Sequence, residues 1–187
     1  KDIYDFSKMV KKHDVIVVRI NYRLGPLGWF YHPAIQGLQD GVDKTSNFGT
    51  LDIISALKWV NQNIELFGGD SQNITIFGES AGGHNVLSLI VSEKANGLFH
   101  KAISMSGYTT TINQEKSYKQ EQKSSTSDFS SWNIVNKILD DMNKTQIQES
   151  FSKTELRDIL LTLSTKDFFK HYSDREPYQE LPLLQSD

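Results

Sequence analysis

One hexapeptide restricts this chain more than any other stretch: Gly78-Glu79-Ser80-Ala81-Gly82-Gly83. The β-branched run Ile74-Thr75-Ile76-Phe77 stands before it, and a helix-like segment, Ala81–Ser92, follows with Val86, Leu87, Leu89 and Ile90 apolar. Gly-x-Ser-x-Gly between a buried strand and a helix is the pattern of a strained turn that lifts a serine hydroxyl above a sheet. Side chains at positions 78 and 82 are expected to collide with neighbouring backbone, so glycine fits both. The helix that opens at Ala81 directs free N–H groups and a positive dipole end toward the serine. The reading is that Ser80 is a nucleophile and that the N–H of Ala81 receives an oxyanion.

The surrounding pattern alternates strand and helix. Val15-Ile16-Val17-Val18-Arg19-Ile20 reads as a strand covered on both faces, and Ala102-Ile103-Ser104-Met105 as a third, short one. Asp2–Lys12 is helix-like, with Ile3, Phe6, Met9 and Val10 at helical spacing. Leu51, Ile54, Leu57, Ile64 and Phe67 mark one helix face, with Thr50 able to cap its start and Gly68-Gly69 to end it. Asn21–Gly49, rich in glycine and proline, reads as a long loop. Such alternation places the chain in the α/β class with a mostly parallel sheet.

Beyond Tyr108 the chain turns polar. Ser117–Ser131 reads as a loop. Trp132, Val135, Ile138, Leu139 and Met142 predict an amphipathic helix. Ser152-Lys153-Thr154-Glu155 is a capping-box pattern opening another, and Ser164–Tyr172 reads as a third. These are expected to be helices laid over a sheet, so residues 1–187 are read as a single partial domain: 1–108 carries the sheet and the turn, and 109–187 a helical, cap-like region.

Composition removes several functional classes. Lys+Arg is 20 against Asp+Glu 23, a formal charge of −3, which argues against an electrostatic nucleic-acid binder. The absence of cysteine removes thiolate metal sites, disulfides and a cysteine nucleophile. No apolar run is long enough to span a membrane.

Further motifs narrow the reading. Asn21-Tyr22-Arg23-Leu24-Gly25-Pro26-Leu27-Gly28, Asn47-Phe48-Gly49 with Leu51-Asp52, Ala56-Leu57-Lys58-Trp59-Val60, Phe67-Gly68-Gly69-Asp70, Asn73 through Gly83, and Leu98-Phe99-His100-Lys101-Ala102-Ile103 with Ser106-Gly107 together resemble the type-B carboxylesterases. The likeness is to bacterial para-nitrobenzyl-esterase-like members related to cholinesterases. It is firm over about residues 10–110 and looser beyond. The resemblance implies an α/β-hydrolase fold, here a central portion of its sheet with flanking helices, and hydrolysis of small carboxylic esters through an acyl-enzyme, with no metal or organic cofactor. It also implies a buried ion pair of Arg23 with Asp52. Glu79 would be an acidic residue beside the nucleophile, acting electrostatically or as a hydrogen-bonded buried carboxylate. Gly78, Gly82 and Gly83 would support the turn.

The same resemblance implies what the 187 residues lack. The catalytic acid and histidine would come after Asp187, and a His-Gly-Gly-type oxyanion loop before Lys1. A strand belonging between Val15–Ile20 and Ile74–Phe77 would also lie upstream. Both ends are therefore expected to be cut, and the isolated polypeptide is expected to be poorly stable and inactive. No histidine present reads as the base. His84 lies on the helix after Ser80, with its side chain expected to point away from the attack direction. His100 belongs to a structural motif, and His171 lies in the polar helical part. His13 and His32 read as surface or loop residues. Two alternatives remain: a catalytically silent interaction protein of the same fold, and another acyl hydrolase such as a lipase, thioesterase or peptidase.

Overall fold

The computed structural model describes residues 4–118, 130–144 and 148–172. In chain order the elements are α1 (Ser7–Lys12), α2 (Gly25–Trp29), α3 (Pro33–Gln36), α4 (Phe48–Asn63), β1 (Thr75–Glu79), α5 (Ala81–Val91), β2 (Lys101–Met105), α6 (Gln114–Tyr118), α7 (Ser131–Asp141), α8 (Lys153–Leu161) and α9 (Thr165–Phe169). Short 3-10 turns lie at Gly41–Thr45, Ile64–Phe67, Glu93–Ala95, Gln148–Ser150 and Lys170–Tyr172. The residues gather into two units: Lys1–Tyr22 with Thr50–Thr109, and Arg23–Gly49 with Thr110–Asp187.

The first unit is built on a βαβ crossover. β1 and β2 pair in parallel, from Thr75 opposite Lys101 to Glu79 opposite Met105, and α5 connects them and packs on both. A parallel pair needs such a crossover, because a tight hairpin cannot reverse the chain twice. Ile76 of β1 packs with Ile53, Ile54 and Leu57 of α4, Val86 and Leu89 of α5, and Ala95. Val60 and Ile64 continue the α4 stripe onto Ile74. Phe67, expected on that stripe, is exposed. The helix tightens into a 3-10 turn at Ile64, and the period falls from 3.6 to about 3 residues, which rotates Phe67 off the apolar face. Gly68 then ends the element in the left-handed region, at φ 82°. α4 itself begins at Phe48, so Thr50 lies inside its first turn instead of capping it.

Val15–Ile20 departs from expectation. It joins no ladder, and Val15, Ile16, Val18 and Ile20 are all exposed. The physical reason is that a strand is a pairwise structure. β-branched residues favour extended backbone, but the hydrogen bonds must come from a neighbour. Among the described residues β1 pairs only with β2. The face of β1 that carries Phe77 is likewise open, with the Phe6 ring edge-on to it at 5.4 Å. α1 covers six residues of the expected Asp2–Lys12 helix; Asp2 and Ile3 lie outside the described residues.

Asn21–Gly49, which from Arg23 on belongs to the second unit, is not a plain loop. α2, α3 and a 3-10 turn occupy much of it. Pro26 and Pro33 sit in the first turns of α2 and α3, where the missing N–H is harmless and the fixed φ is already helical. Residues that read as breakers are helix starters here. Gly28 and Gly49 are there for packing: a Cβ on Gly49 would lie 2.4 Å from the Trp29 ring.

α7 is the centre of this unit. Ile134, Val135, Ile138 and Leu139 are almost wholly buried, against Ala34 of α3, Leu156 of α8, Phe30, Leu160 and Phe168. Ser130 caps α7, accepting from the Asn133 amide. The Ser152–Glu155 capping box opens α8 as the spacing predicts. Met142, expected on the apolar face of α7, lies past its end and is exposed. Most of the expected Ser117–Ser131 loop lies outside the described residues, with Ser117 in α6 and Ser131 opening α7. Leu139→Ala in the full-length protein is expected to cost about 2–5 kcal/mol, from lost transfer energy and the cavity left behind. A fall in the urea midpoint with unchanged slope would register it.

Candidate active site

β1 ends at Glu79 and α5 begins at Ala81, so a single residue makes the bend. That residue is Ser80, at φ 54° and ψ −115°. A side chain at such φ is crowded by its own backbone, which costs of order 1–3 kcal/mol and persists only when neighbouring bonds over-determine it. Two do so here. The Ser80 N–H donates to the Met105 carbonyl at 2.9 Å, continuing the sheet one step past the ladder. The Ser80 carbonyl accepts from the His84 N–H at 3.0 Å, the first helical bond of α5. The backbone is thus half strand and half helix. The hydroxyl takes no part in capping, is exposed, and has no hydrogen-bond partner among the described residues.

Three glycines make room for this bend. A Cβ on Gly78 would stand 2.3 Å from the Gly82 carbonyl oxygen. One on Gly83 would stand 2.8 Å from the Met105 carbonyl oxygen and 2.9 Å from Gly107 Cα, and one on Gly107 would stand 2.6 Å from the Gly83 carbonyl carbon. Gly82 is different: a Cβ there meets nothing within 4 Å. The expected collision at position 82 is therefore absent. The close approach between Gly78 and Gly82 is one contact, and only the Gly78 Cβ direction enters it. Gly107 and the carbonyl of Met105 are the supports that motif reading passed over. The signal available was the Ser106-Gly107 pair directly after the next strand, opposite the glycines that open α5. Ser104 adds a hydrogen bond from its hydroxyl to the Gly83 carbonyl at 3.0 Å.

The other sequence-predicted residues fall as follows. Ala81 is the first residue of α5 and is exposed. Its N–H is one of the helix-start donors that α5 itself does not use. Glu79 pairs in register with Met105 and is exposed, so the buried-carboxylate alternative does not apply to it. Arg23 is exposed too, not buried as expected; its guanidinium lies over the Phe48 ring, 5.1 Å from the centroid. A planar, weakly hydrated cation can sit on an aromatic face without leaving water. Asp52 is half-buried on α4.

Each described histidine except His13 is engaged elsewhere. His84 is buried, its Nδ1 donating to the Tyr108 carbonyl at 2.6 Å and its ring 4.5 Å from the Tyr108 ring. His100 accepts the Ile74 N–H on Nδ1 at 3.2 Å, fixing the entry to β1. His171 lies 3.1 Å from Asp141, whose carboxyl is held below the usual range by the Lys170 hydrogen bond first and by the charges of Lys170 and His171 after it. His13 is exposed. His32, read as a surface or loop residue, stands just before α3 and is buried. Among the described residues, no histidine ring bonds to the Ser80 hydroxyl.

Known proteins share sequence and fold with this chain. The model of a family described as "Carboxylesterase family" matches residues 1–182. Para-nitrobenzyl esterase from Bacillus subtilis (strain 168) is 45% identical over 114 residues, 61% of this chain and 22% of that protein. Cocaine esterase from Homo sapiens is 50% identical over 107 residues, 56% of this chain and 18% of that protein. A solved structure of a thermophilic PNB esterase superposes with TM-score 0.71 at 31% identity, covering 98% of this chain and 34% of that one. The chain spans about a fifth of the length of these curated relatives and about a third of the solved structure.

Proposed function

The chain belongs to the carboxylesterase family, and from that membership we propose that Ser80 is the nucleophile of an ester hydrolase. The fold is part of the α/β-hydrolase architecture of the family's solved members. Ser80 Oγ attacks the carbonyl carbon of a small carboxylic ester. The Ala81 N–H receives the oxyanion, the alcohol departs, and water cleaves the acyl-enzyme. Gly78 and Gly83 let the bend form, and Gly82 lies within the turn; Glu79 places a negative charge beside the nucleophile. No metal or organic cofactor is required. Residues 1–187 act as part of one hydrolase domain.

The observation that carries this reading is the Ser80 hydroxyl, exposed and unbonded among the described residues on a backbone at φ 54° between strand and helix. A serine placed only for structure would be expected to cap the helix it precedes, since capping satisfies an orphan N–H. The test is covalent. A fluorophosphonate added to the full-length protein should modify one serine per chain, and peptide mass spectrometry should place it on Ser80. Absence of labelling there, in folded protein, would favour the catalytically silent alternative.

A further inference from the structure

In the second unit the His32 ring is buried at 2% exposure and uses both nitrogens. The Ala34 amide donates to Nδ1 at 3.1 Å, so Nδ1 is the unprotonated, accepting nitrogen. The neutral ring then carries its hydrogen on Nε2, which lies 2.9 Å from Oε1 of Gln148. Gln148 is 1% exposed, and its amide nitrogen donates onward to the Trp132 carbonyl at 3.4 Å and to Asn136 Oδ1 at 3.5 Å. Every polar atom in this chain of bonds has one role, set by the first. It ties the start of α3 to α7 and to the turn at Gln148–Ser150.

We propose that His32 is an acid-sensitive latch: protonating Nδ1 sets a second hydrogen against the Ala34 N–H and frees the Phe30–Gln36 segment from Gln148 and α7. Among the described residues, no charged partner of the ring compensates such a charge. Phe30 stacks on the ring at 6.3 Å and Tyr118 of α6 meets it edge-on at 5.3 Å. α7 offers neutral Trp132 and Asn136. Of titratable groups nearby, Tyr118 is held neutral by burial, Glu149 follows Gln148 and acts on Tyr118, and Tyr31 precedes the ring. Burial pushes the His32 proton affinity down, and the Gln148 bond opposes this in part. The sign follows. The ring is harder to protonate when latched than when free, so the latch contributes fully above the ordinary histidine midpoint, about 6.5, and is lost as pH falls below it.

The experiment is hydrogen exchange on the full-length protein, corrected for intrinsic rates, from about pH 7.5 to about pH 5. Protection of the 30–36 and 148–150 peptides should fall by up to about tenfold per pH unit at the acid end, while the 81–91 peptides stay level. His32→Asn keeps an acceptor for the Ala34 N–H and removes the titration; its protection should be lower at neutral pH and independent of pH in this range. Gln148→Glu places a carboxylate against Nε2 and should move the His32 ring titration, followed by NMR, to higher pH. A wild-type ring carrying its hydrogen on Nδ1 at neutral pH would overturn the proposal. So would a His32→Asn variant that retains the wild-type pH slope.

Discussion

Ser80→Ala in the full-length protein should lower kcat for a nitrophenyl ester by about 10⁴- to 10⁶-fold with little change in KM, since removing the nucleophile of a catalytic triad leaves only binding and oxyanion stabilisation. The comparison is clean because alanine keeps a Cβ. At φ 54° the backbone crowding on Cβ is the same for both residues, and the hydroxyl makes no bond among the described residues that alanine would forfeit. The thermal midpoint should therefore stay within a degree or two of wild type, on the order of the shift expected for a few tenths of a kcal/mol. Ser80→Gly supplies the second reading. Glycine tolerates this φ, so the variant should be equally inactive yet more stable, by about 1 kcal/mol or somewhat more. Loss of activity with gain of stability is the signature of a strained residue retained for chemistry. Retention of activity within tenfold of wild type in Ser80→Ala would remove Ser80 from the reaction.

The second large effect is a contrast between two glycines of the same motif. Gly78→Ala should destabilise the protein by more than about 4 kcal/mol, a size reserved for specific steric failures. The new methyl would lie 2.3 Å from the Gly82 carbonyl oxygen and 2.4 Å from its carbon, both backbone atoms that cannot swing aside. Against a typical net stability of about 5–15 kcal/mol, most such protein should be recovered unfolded or as aggregate. Gly82→Ala should express and fold normally, because its methyl would enter open space near the start of α5. Soluble yield and thermal midpoint of the two variants, measured side by side, decide the matter. Equal tolerance at both positions would mean the turn relaxes more freely than its geometry implies.

Legibility in the sequence followed the range of the forces involved. β1, α5 and β2 could be read because each carries a local signal, and because the βαβ crossover joins neighbours in the chain. The turn at Ser80 could be read because its glycines lie within three residues of it. α7 and α8 could be read from helical periodicity and from the Ser152–Glu155 cap. Val15–Ile20 could not, since its composition reports a preference for extended backbone and is silent on whether a partner strand lies alongside. Asn21–Gly49 misled because proline and glycine interrupt helices in their middles but serve them at their ends. His32 was hidden because its partner, Gln148, is 116 residues away, a distance over which no local pattern operates. The supports from Met105 and Gly107 belong to the same class, since they touch the motif only after the chain has crossed over.

The Ser80 amide hangs from the Met105 carbonyl, and Gly83 rests on Gly107, so the Ser80 hydroxyl takes its position from the second strand as much as from its own. The placing of the hydroxyl can therefore be adjusted from the outgoing end of that strand. The stretch Ser106–Thr109 leaves that strand directly behind these supports, and on the proposed role of Ser80 an engineer tuning turnover while leaving the motif intact has there the natural place to introduce variation.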